Sequence, residues 1–454
     1  MGKAARNVPL TWDATLGEKA QMRVTHRNKK WLLGSVALGA MAASAGSALA
    51  GGFDVREQSA FFQGTSFAGA AAGGSSLSSI FWNPATSYIV SDGITTDSNY
   101  SLFLPEMNVE ADLVNGGPCA GRCEADFGRD AIIPASYAAY RFNDKMVLAV
   151  AMNSQFGLTT KPDDMGWAGQ GLAQTSKIFS LNLNPSVSYQ VTPGVTVGVG
   201  LQVQYLEIKR LRTVLYDAND ADDIGVGATA GINITPFRGT SVGLGYRSRI
   251  EHDVEGDFDN IAVPVAASGD LKATLETPDK VTLSIRQELG PTARLFGTVE
   301  WTNWSLLDVV PVDIPLLVPG VSAAIEANWE DGWFYSIGGE VDVSPKLTLR
   351  AGAAYEESPI QDDTSRLIQL PDNNRIWASV GATYNWSDTT KINLAYSHVW
   401  VEDGDIERTS LIGPAGGTFV GSAEDNGADI ISVGVTTKLD WLLGGRHSEP
   451  APLK

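Results

Sequence analysis

Few residues in this 454-residue chain have the types and spacing that catalysis or metal binding requires. The four histidines are scattered, and although His398 falls in a strand-like segment, no serine-centred motif accompanies it. Cys119 and Cys123 lie close together in the stretch PCAGRC. In an exported protein this spacing predicts a small disulfide loop, because a metal site needs more ligands. We therefore expect no enzyme, no metal site and no cofactor.

A second group of candidate residues is charged and lies in segments that alternate between apolar and polar side chains. If apolar residues such as Leu244 and Tyr246 face one side, their charged neighbours face the other. The charged residues placed on the polar side in this way are Arg210, Arg212, Arg247, Arg249, Glu300, Arg350 and Glu356. Two roles are open for them. One or two arginines, with Arg212 as the better candidate, bind a carboxylate head group, or the charges form ion pairs within the fold.

The segments that hold these residues read as β-strands. In GVTVGVGLQVQYL (194–206) the valines, Leu201 and Tyr205 share one face, and residues 178–191, 346–355 and 390–400 repeat the alternation. These lengths suit transmembrane strands, which need about 9–11 residues. Aromatic residues also gather at strand ends, where a membrane interface would lie. They are Tyr137, Tyr140, Trp301, Trp304, Trp333, Phe334, Tyr335 and Trp377.

The connections between these segments alternate in length. The short ones lie near residues 143–144, 192–194, 235–240, 290–292, 344–345 and 387–388. The long ones lie near residues 106–131, 161–174, 252–279, 307–331, 357–374 and 402–427. Short turns on one side and long loops on the other are typical of outer-membrane barrels. The sequence therefore predicts an all-β fold, a transmembrane antiparallel barrel of about 14 strands. A soluble sandwich is the less favoured alternative.

The N-terminal residues predict export of the protein, and the C-terminal residues predict a tail after the barrel. Basic residues from Arg23 to Lys30, a short apolar run and the ending Ala48-Leu49-Ala50 are typical of a signal peptide. Residues 1–50 then form a leader with an N-terminal extension, and residues 444–454 a C-terminal tail. The leader holds seven Lys or Arg and two Asp or Glu, so without it the net charge falls from −19 to −24. Such a charge excludes nucleic acid as a partner.

Residues 51–92 lack alternation and precede the predicted barrel of residues 93–443. Their small side chains end near Pro84, which fixes its own φ and has no N–H. Two interpretations are open: a flexible periplasmic tail, or a compact plug (a hatch) inside the lumen, where small side chains allow close packing. A barrel of this size needs a plug to be selective.

The stretch GGFDVREQSAFFQGTSFAGAAAGGSSLSSIFWNPAT (51–86) resembles the N-terminal hatch of the FadL-type family of outer-membrane transporters. The likeness continues in NSQFGLTT (153–160), LNLNPSVSYQV (181–191), GLGYRSRIEHDVEGDFD (243–259), EWTNWS (300–305), LRAGAAYEESPI (349–360) and LPDNNRIWASVGATY (370–384). It therefore spans essentially the whole mature chain, in order.

The resemblance implies a plugged barrel in which one strand kinks inward and opens the wall sideways. Gly157, flanked by Phe156 and Leu158, is the kink candidate, because glycine in a strand often marks a bend. By the same resemblance the residues that occupy or gate the ligand pocket are Gly51, Gly52 and Phe53. The residues that set the hatch position are Asn83 and Pro84.

The function implied is passive outer-membrane transport of hydrophobic molecules, such as long-chain fatty acids, by a monomer that contacts outer-membrane lipids. The loop at 216–222 is short, which leaves aromatic hydrocarbons and other hydrophobic compounds open as substrates. Further alternatives are a general porin or adhesin and an outer-membrane enzyme that acts on lipid or protein.

Overall fold

The computed structural model describes most of the predicted mature chain. The described ranges are residues 51–90, 92–263, 266–317, 323–410 and 417–439. The predicted signal peptide and C-terminal tail lie outside them. Within these ranges no helix is both long and apolar enough to cross a bilayer.

Strands make up most of the described chain. They are β1 (Ile94–Glu106), β2 (Asn108–Val114), β3 (Gly117–Pro118), β4 (Glu124–Asp126), β5 (Ala131–Asn143), β6 (Met146–Asn153), β7 (Gly157–Thr160), β8 (Thr175–Thr192), β9 (Val195–Arg212), β10 (Tyr216–Ile234), β11 (Thr240–Arg247), β12 (Ile250–Asn260), β13 (Gly269–Thr277), β14 (Lys280–Leu289), β15 (Ala293–Thr302), β16 (Val309–Asp313), β17 (Ala323–Glu326), β18 (Gly332–Ser344), β19 (Leu347–Glu357), β20 (Arg375–Asn385), β21 (Thr390–Val401), β22 (Gly404–Thr409), β23 (Thr418–Ala423) and β24 (Gly427–Lys438).

Fourteen of the described strands pair antiparallel in a closed ring, which confirms the predicted barrel. In order they are β1, β5, β6, β8, β9, β10, β11, β14, β15, β18, β19, β20, β21 and β24, and β24 pairs again with β1. Closure matters because a barrel leaves no unpaired edge in the bilayer. The short turns join β5 to β6, β8 to β9, β10 to β11, β14 to β15, β18 to β19 and β20 to β21.

Several predicted long loops are strands. Residues 216–222 belong to β10, and within the range 252–279 residues 252–260 and 269–277 belong to the paired strands β12 and β13. Together with β16 and β17 they extend the wall past the ring on the long-loop side. The expectation of a short loop at 216–222 was therefore wrong. The period-2 pattern is present in β12, where buried residues alternate with exposed acidic ones, but a stretch so rich in acidic residues resembles a loop.

A separate five-stranded sheet of β2, β3, β4, β22 and β23 also lies among the long loops. A disulfide joins Cys119 to Cys123 beside it. Arg122, between the two cysteines, forms exposed ion pairs with Asp163 and Asp164. The backbone N–H of Gly166 and the Arg122 guanidinium together hold the pKa of Asp164 below its usual value.

The outer face of the ring is apolar. Leu201, Val226, Ile337 and Leu394 are exposed, whereas their sequence neighbours face inward, as expected for a wall in contact with lipid. The predicted aromatic girdle was partly wrong. Tyr140, Trp333 and Tyr335 are exposed, but four of the predicted girdle residues point into the barrel and are buried: Tyr137, Trp304, Phe334 and Trp377.

Residues 51–90, which we call the hatch, form short helical elements inside the ring. They are one α-helix (Ala60–Gln63) and three 3₁₀-helices (Ala70–Ala72, Leu77–Phe81 and Pro84–Ile89). Ser59 caps the α-helix by accepting a hydrogen bond from the Phe62 N–H. Almost all described side chains of the hatch are buried. A flexible tail would expose them, so the structure favours the plug.

Small residues in the wall let the hatch backbone approach closely. A Cβ added to Gly243 would come closer than 3.0 Å to the carbonyl oxygen of Ala71, and one added to Gly245 would do the same to that of Trp82. Only glycine therefore fits at these inward positions. The small residues of the hatch and the glycines of the strands meet in one tightly packed interface.

Candidate ligand site

Polar side chains of the wall anchor the hatch around most of its circumference. Ten of the fourteen ring strands hydrogen-bond to its described residues through a side chain: Asn99, Tyr137, Ser188, Asn233, Ser241, Ser284, Thr298, Glu356, Ser379 and Ser432. Most of these side chains bond to backbone groups of the hatch, which need a partner when they are buried. Ser188, Ser379 and Ser432 bond instead to side chains of the hatch. The hatch is therefore held across the lumen rather than on one side only.

A buried ion cluster joins the start of the hatch to the wall. Arg56 donates to Glu300 at 2.8 Å and to Glu356 at 3.2 Å, and its guanidinium carbon lies 3.8 Å from the centre of the Phe334 ring. Asp54 of the hatch pairs with Lys280. The remaining members are Asp372 and Arg375, which pair with each other. Since all these groups are nearly inaccessible to solvent, each charge depends on its partner.

The other predicted lumen arginines hold the hatch differently. Arg247 is buried and donates to the Phe81 carbonyl at 2.9 Å and to Gln155 at 3.0 Å. Arg350 pairs with Glu340 of the wall at 2.8 Å and lies 3.8 Å from the centre of the Phe61 ring. Both arginines therefore contact hatch residues.

Three predicted arginines lie apart from the cluster. Arg210 donates to Asp217 at 2.9 Å, and Arg212 lies 3.9 Å from the same carboxylate. Both are half-exposed. The expectation that Arg249 faces inward was wrong, because β11 ends at Arg247 and the alternation ends with it. Arg249 is exposed and faces Glu276 at 3.6 Å.

Phe53 occupies a pocket made of aromatic rings, which we call the aromatic box. Its ring centre lies 5.0 Å from that of Trp304, 5.7 Å from that of Phe156 and 6.1 Å from that of Trp329. Edge-to-face contacts of this kind stabilise aromatic clusters. Within the described chain the Trp329 indole N–H is buried without an acceptor. Phe53, the predicted gate residue, thus fills an apolar site in which the Trp329 N–H has no acceptor within the described chain.

The wall beside the aromatic box is interrupted. The ladder between β5 and β6 ends at the pair Ala135–Asn153, and the two segments are next joined where the Lys161 N–H donates to the Phe127 carbonyl at 3.2 Å, outside the strands. Between these points, in the described chain, residues 128–134 and 154–160 have no ladder between them. We call this interval the wall gap. Pro134 borders it, and proline has no N–H to offer a neighbouring strand.

The hatch supplies the backbone partners that the wall gap lacks. The Gly157 N–H donates to the Phe53 carbonyl at 2.9 Å, and the Val55 N–H donates to the Gln155 carbonyl at 2.7 Å. A backbone hydrogen bond therefore joins Phe53, the predicted gate residue, to Gly157, the predicted kink residue. The interruption between β6 and β7 covers residues 154–156, directly before Gly157, and Leu158 follows Gly157 in β7.

Asn83 fixes the opposite end of the hatch. Its side-chain amide donates to the carbonyls of Ala71 at 2.8 Å and Ile232 at 3.0 Å, and its oxygen accepts from the Ala85 N–H at 3.0 Å. Pro84 begins the 3₁₀-helix that follows, where its missing N–H is not needed. The motif NPA thus caps a helix and ties it to β10.

Sequence reasoning missed several residues of this site. Asp54 and Arg56 lie in the quoted hatch motif, and Lys280 and Arg375 begin strands, but none was singled out. The available signal was the group of three charged residues, Asp54, Arg56 and Glu57, in a hatch of mostly small and apolar residues, since buried charges need partners. Among the described residues, no group of three or more His, Cys, Asp and Glu is arranged to hold a metal ion.

A polar groove opens to solvent next to the aromatic box. It has a volume of about 620 Å³, and Trp329 belongs to both sites. Its lining includes Glu330, Asp331 and Glu357 but no lysine or arginine. A molecule that reaches the box along this groove passes a negatively charged surface.

Comparison with known proteins places these features in one family. Residues 41–439 match the profile of the family described as outer membrane protein transport protein (OMPP1/FadL/TodX). Outer membrane protein P1 of Haemophilus influenzae is 26% identical over 420 residues, covering 79% of this chain and 88% of that protein. The long-chain fatty acid transport protein of Escherichia coli K12 is 22% identical over 402 residues, covering 77% and 87%.

Solved structures share the fold. A Pseudomonas aeruginosa FadL homologue superposes with a TM-score of 0.77 at 20% identity, covering 85% of this chain and 99% of the other. The toluene transporter TodX of P. putida gives a TM-score of 0.63 at 15% identity, covering 84% and 98%. The predicted family and outer-membrane location are confirmed. This chain belongs to the OMPP1/FadL/TodX family of outer-membrane transport proteins.

Proposed function

We propose that this protein is a passive channel that admits hydrophobic molecules, long-chain fatty acids among them, across the outer membrane. The observation that carries the proposal is the position of Phe53. Its ring fills the aromatic box, while its carbonyl accepts a hydrogen bond from Gly157 at the wall gap. A ligand that replaces this ring in the box therefore also reaches the wall gap.

Sideways release follows from the solubility of such ligands. Burying a CH₂ group stabilises it by about 0.8 kcal/mol, so a long acyl chain prefers the bilayer to water. A gap in the wall lets the ligand enter the membrane without crossing an aqueous lumen. The concentration gradient supplies the driving force. Relatives named as fatty acid and toluene transporters support this class of ligand.

Neutral aromatic hydrocarbons are the second candidate substrates, and the acidic groove favours them. Glu330, Asp331 and Glu357 repel a carboxylate, whereas a neutral ring is unaffected. Glu330→Gln combined with Glu357→Gln should therefore strengthen fatty-acid binding and leave toluene binding unchanged. Equal strengthening of both would contradict this selectivity.

We further propose that the protein acts as a monomer, without a cofactor or a catalytic step, and that its partners are the ligand and outer-membrane lipids. The apolar outer face supports contact with lipid. The many hydrogen bonds between hatch and wall argue against a general porin, because an open porin needs an unobstructed lumen.

Equilibrium binding to the detergent-purified protein tests the proposal. In Phe53→Ala the ligand no longer competes with a buried ring, whose burial stabilises the closed state by about 1.5–3 kcal/mol. The affinity for labelled oleate or toluene should rise about 10- to 100-fold. Phe127→Ala, a buried phenylalanine outside the aromatic box, is the matched control and should bind as the wild type does. Unchanged binding in Phe53→Ala, or conductance without saturable binding, would overturn the proposal.

A further inference from the structure

The first two residues of the hatch present their backbone nitrogens to buried carboxylates. The Gly51 N–H donates to Glu356 at 3.1 Å, and the Gly52 N–H donates to Asp372 at 2.8 Å. Gly51 is buried, and a Cβ added to it would touch Pro359 at 3.4 Å. The Gly51 nitrogen therefore lies inside the protein, at ion-pairing distance from an acid.

The charges of the ion cluster around this nitrogen do not balance. Its ion-paired cations are three: Arg56, Lys280 and Arg375. A fourth positive charge is the neighbouring Arg247, which is buried and donates to a carbonyl and to glutamine side chains. The carboxylates are five: Asp54, Glu57, Glu300, Glu356 and Asp372. An uncompensated carboxylate in a buried site is strongly destabilising.

We propose that cleavage of the signal peptide supplies the missing cation. Signal peptidase hydrolyses the Ala50–Gly51 bond with one water molecule. The leader departs with the new carboxylate of Ala50, and the freed amine of Gly51 takes up a proton. The resulting ammonium pairs with Glu356, which brings the cluster, with Arg247 and Glu57 counted, to five cations and five anions. This inference concerns how the hatch is locked and does not depend on which molecule is transported.

An ammonium suits this position better than an amide. The hydrogen bond from an amide to the Glu356 carboxylate is already charge-assisted, and an ammonium adds the attraction between opposite charges, which is strong in a buried site. Gly51 is two residues from Phe53, so an ion pair at Gly51 also holds the Phe53 ring in the aromatic box. Cleavage of the signal peptide thereby stabilises the closed state, in which the Phe53 ring lies in the aromatic box.

The surroundings of Gly52 show why the position of the cleavage site matters. Gly52 has a φ of 67°, which favours glycine, and a Cβ there would lie 2.9 Å from the Trp329 ring. A start shifted by one residue moves the charge by about one Cα–Cα step of 3.8 Å. The ammonium would then no longer lie within ion-pairing distance of Glu356. Gly51 and Gly52, which begin the predicted mature chain, thus lie in a space that leaves little room for larger side chains.

The first test is the N-terminus of protein isolated from outer membranes. Mass spectrometry should find Gly51 as the first residue, with an unmodified amine. A different first residue, or a blocked one, would overturn the inference.

The second test compares refolded chains that begin at Gly51 with either a free or an acetylated amine. Hydrogen exchange of the peptide 51–60 should be at least about tenfold faster in the acetylated protein, equivalent to about 1.4 kcal/mol. In Glu356→Gln the two forms should differ less than about twofold, because the partner charge is gone. Glu357→Gln, the matched control on the adjacent position, should keep the tenfold difference.

Two results of that comparison would contradict the inference. One is equal exchange of the free and acetylated wild-type chains. The other is an acetylation effect of the same size in Glu356→Gln as in the wild type, because this would locate the effect elsewhere. A chain that retains Ala50 checks the same point without chemical modification, and it should behave like the acetylated form.

Discussion

Replacing Arg56 by methionine should release the hatch from the wall while leaving the ring of strands intact. The substitution keeps an apolar stem beside Phe334 but removes the partner of Glu300 and one partner of Glu356. Breaking a buried ion pair by removing one member costs about 3–5 kcal/mol, because the other charge stays buried. The ratio of displaced to seated hatch should therefore rise by about two to three and a half orders of magnitude.

Ion conductance in planar bilayers measures this ratio. Arg56→Met should show frequent open events where the wild type is nearly silent, and its unheated mobility on a denaturing gel should remain that of a folded barrel. Arg294→Met is the matched control, since Arg294 pairs with Glu340 and Asp342 of the wall only. Adding Glu300→Gln to Arg56→Met should restore much of the closure. Equal conductance in Arg56→Met and Arg294→Met would refute the reasoning.

Three further predictions concern single features. Gly245→Ala should displace the hatch and speed its proteolysis, because the new Cβ meets hatch backbone, whereas Gly297→Ala, with its nearest contact at 3.4 Å, should behave as the wild type. Asn83→Ala removes three hydrogen bonds and should lower the stability of the hatch by about 1–3 kcal/mol, seen as an earlier transition in urea. Replacing Cys119 and Cys123 by serine should leave barrel melting unchanged and quicken cleavage only at residues 117–124, because the disulfide closes a loop outside the ring.

The barrel could be predicted because lipid on one side and a polar interior on the other impose alternation on each strand. The same alternation placed Glu300 and Glu356 inside, where the structure has them. It failed at Arg249, where the strand ends, and in β12 and β13, where the acidic residues of the exposed face made strands resemble a loop. The alternation therefore continues beyond the ring in β12, but there its exposed face is acidic instead of apolar.

The contacts of the hatch could not be predicted in the same way. Its segments have no period, and the partners of Arg56 lie more than two hundred residues away in the chain. The aromatic residues Phe334 and Trp377 looked like girdle residues because clustering at strand ends does not reveal which face they occupy. The wall gap arises from the end of a ladder, which depends on the neighbouring strand and not on Gly157 alone.

Anomalous diffraction from crystals of Phe53→Ala soaked with a brominated fatty acid tests the central claim most directly. The claim is that hydrophobic molecules reach the wall gap by taking the place of Phe53. We expect bromine peaks between Phe156, Trp304 and Trp329. Peaks confined to the outer, lipid-facing surface, in a variant that still transports the ligand, would contradict the account.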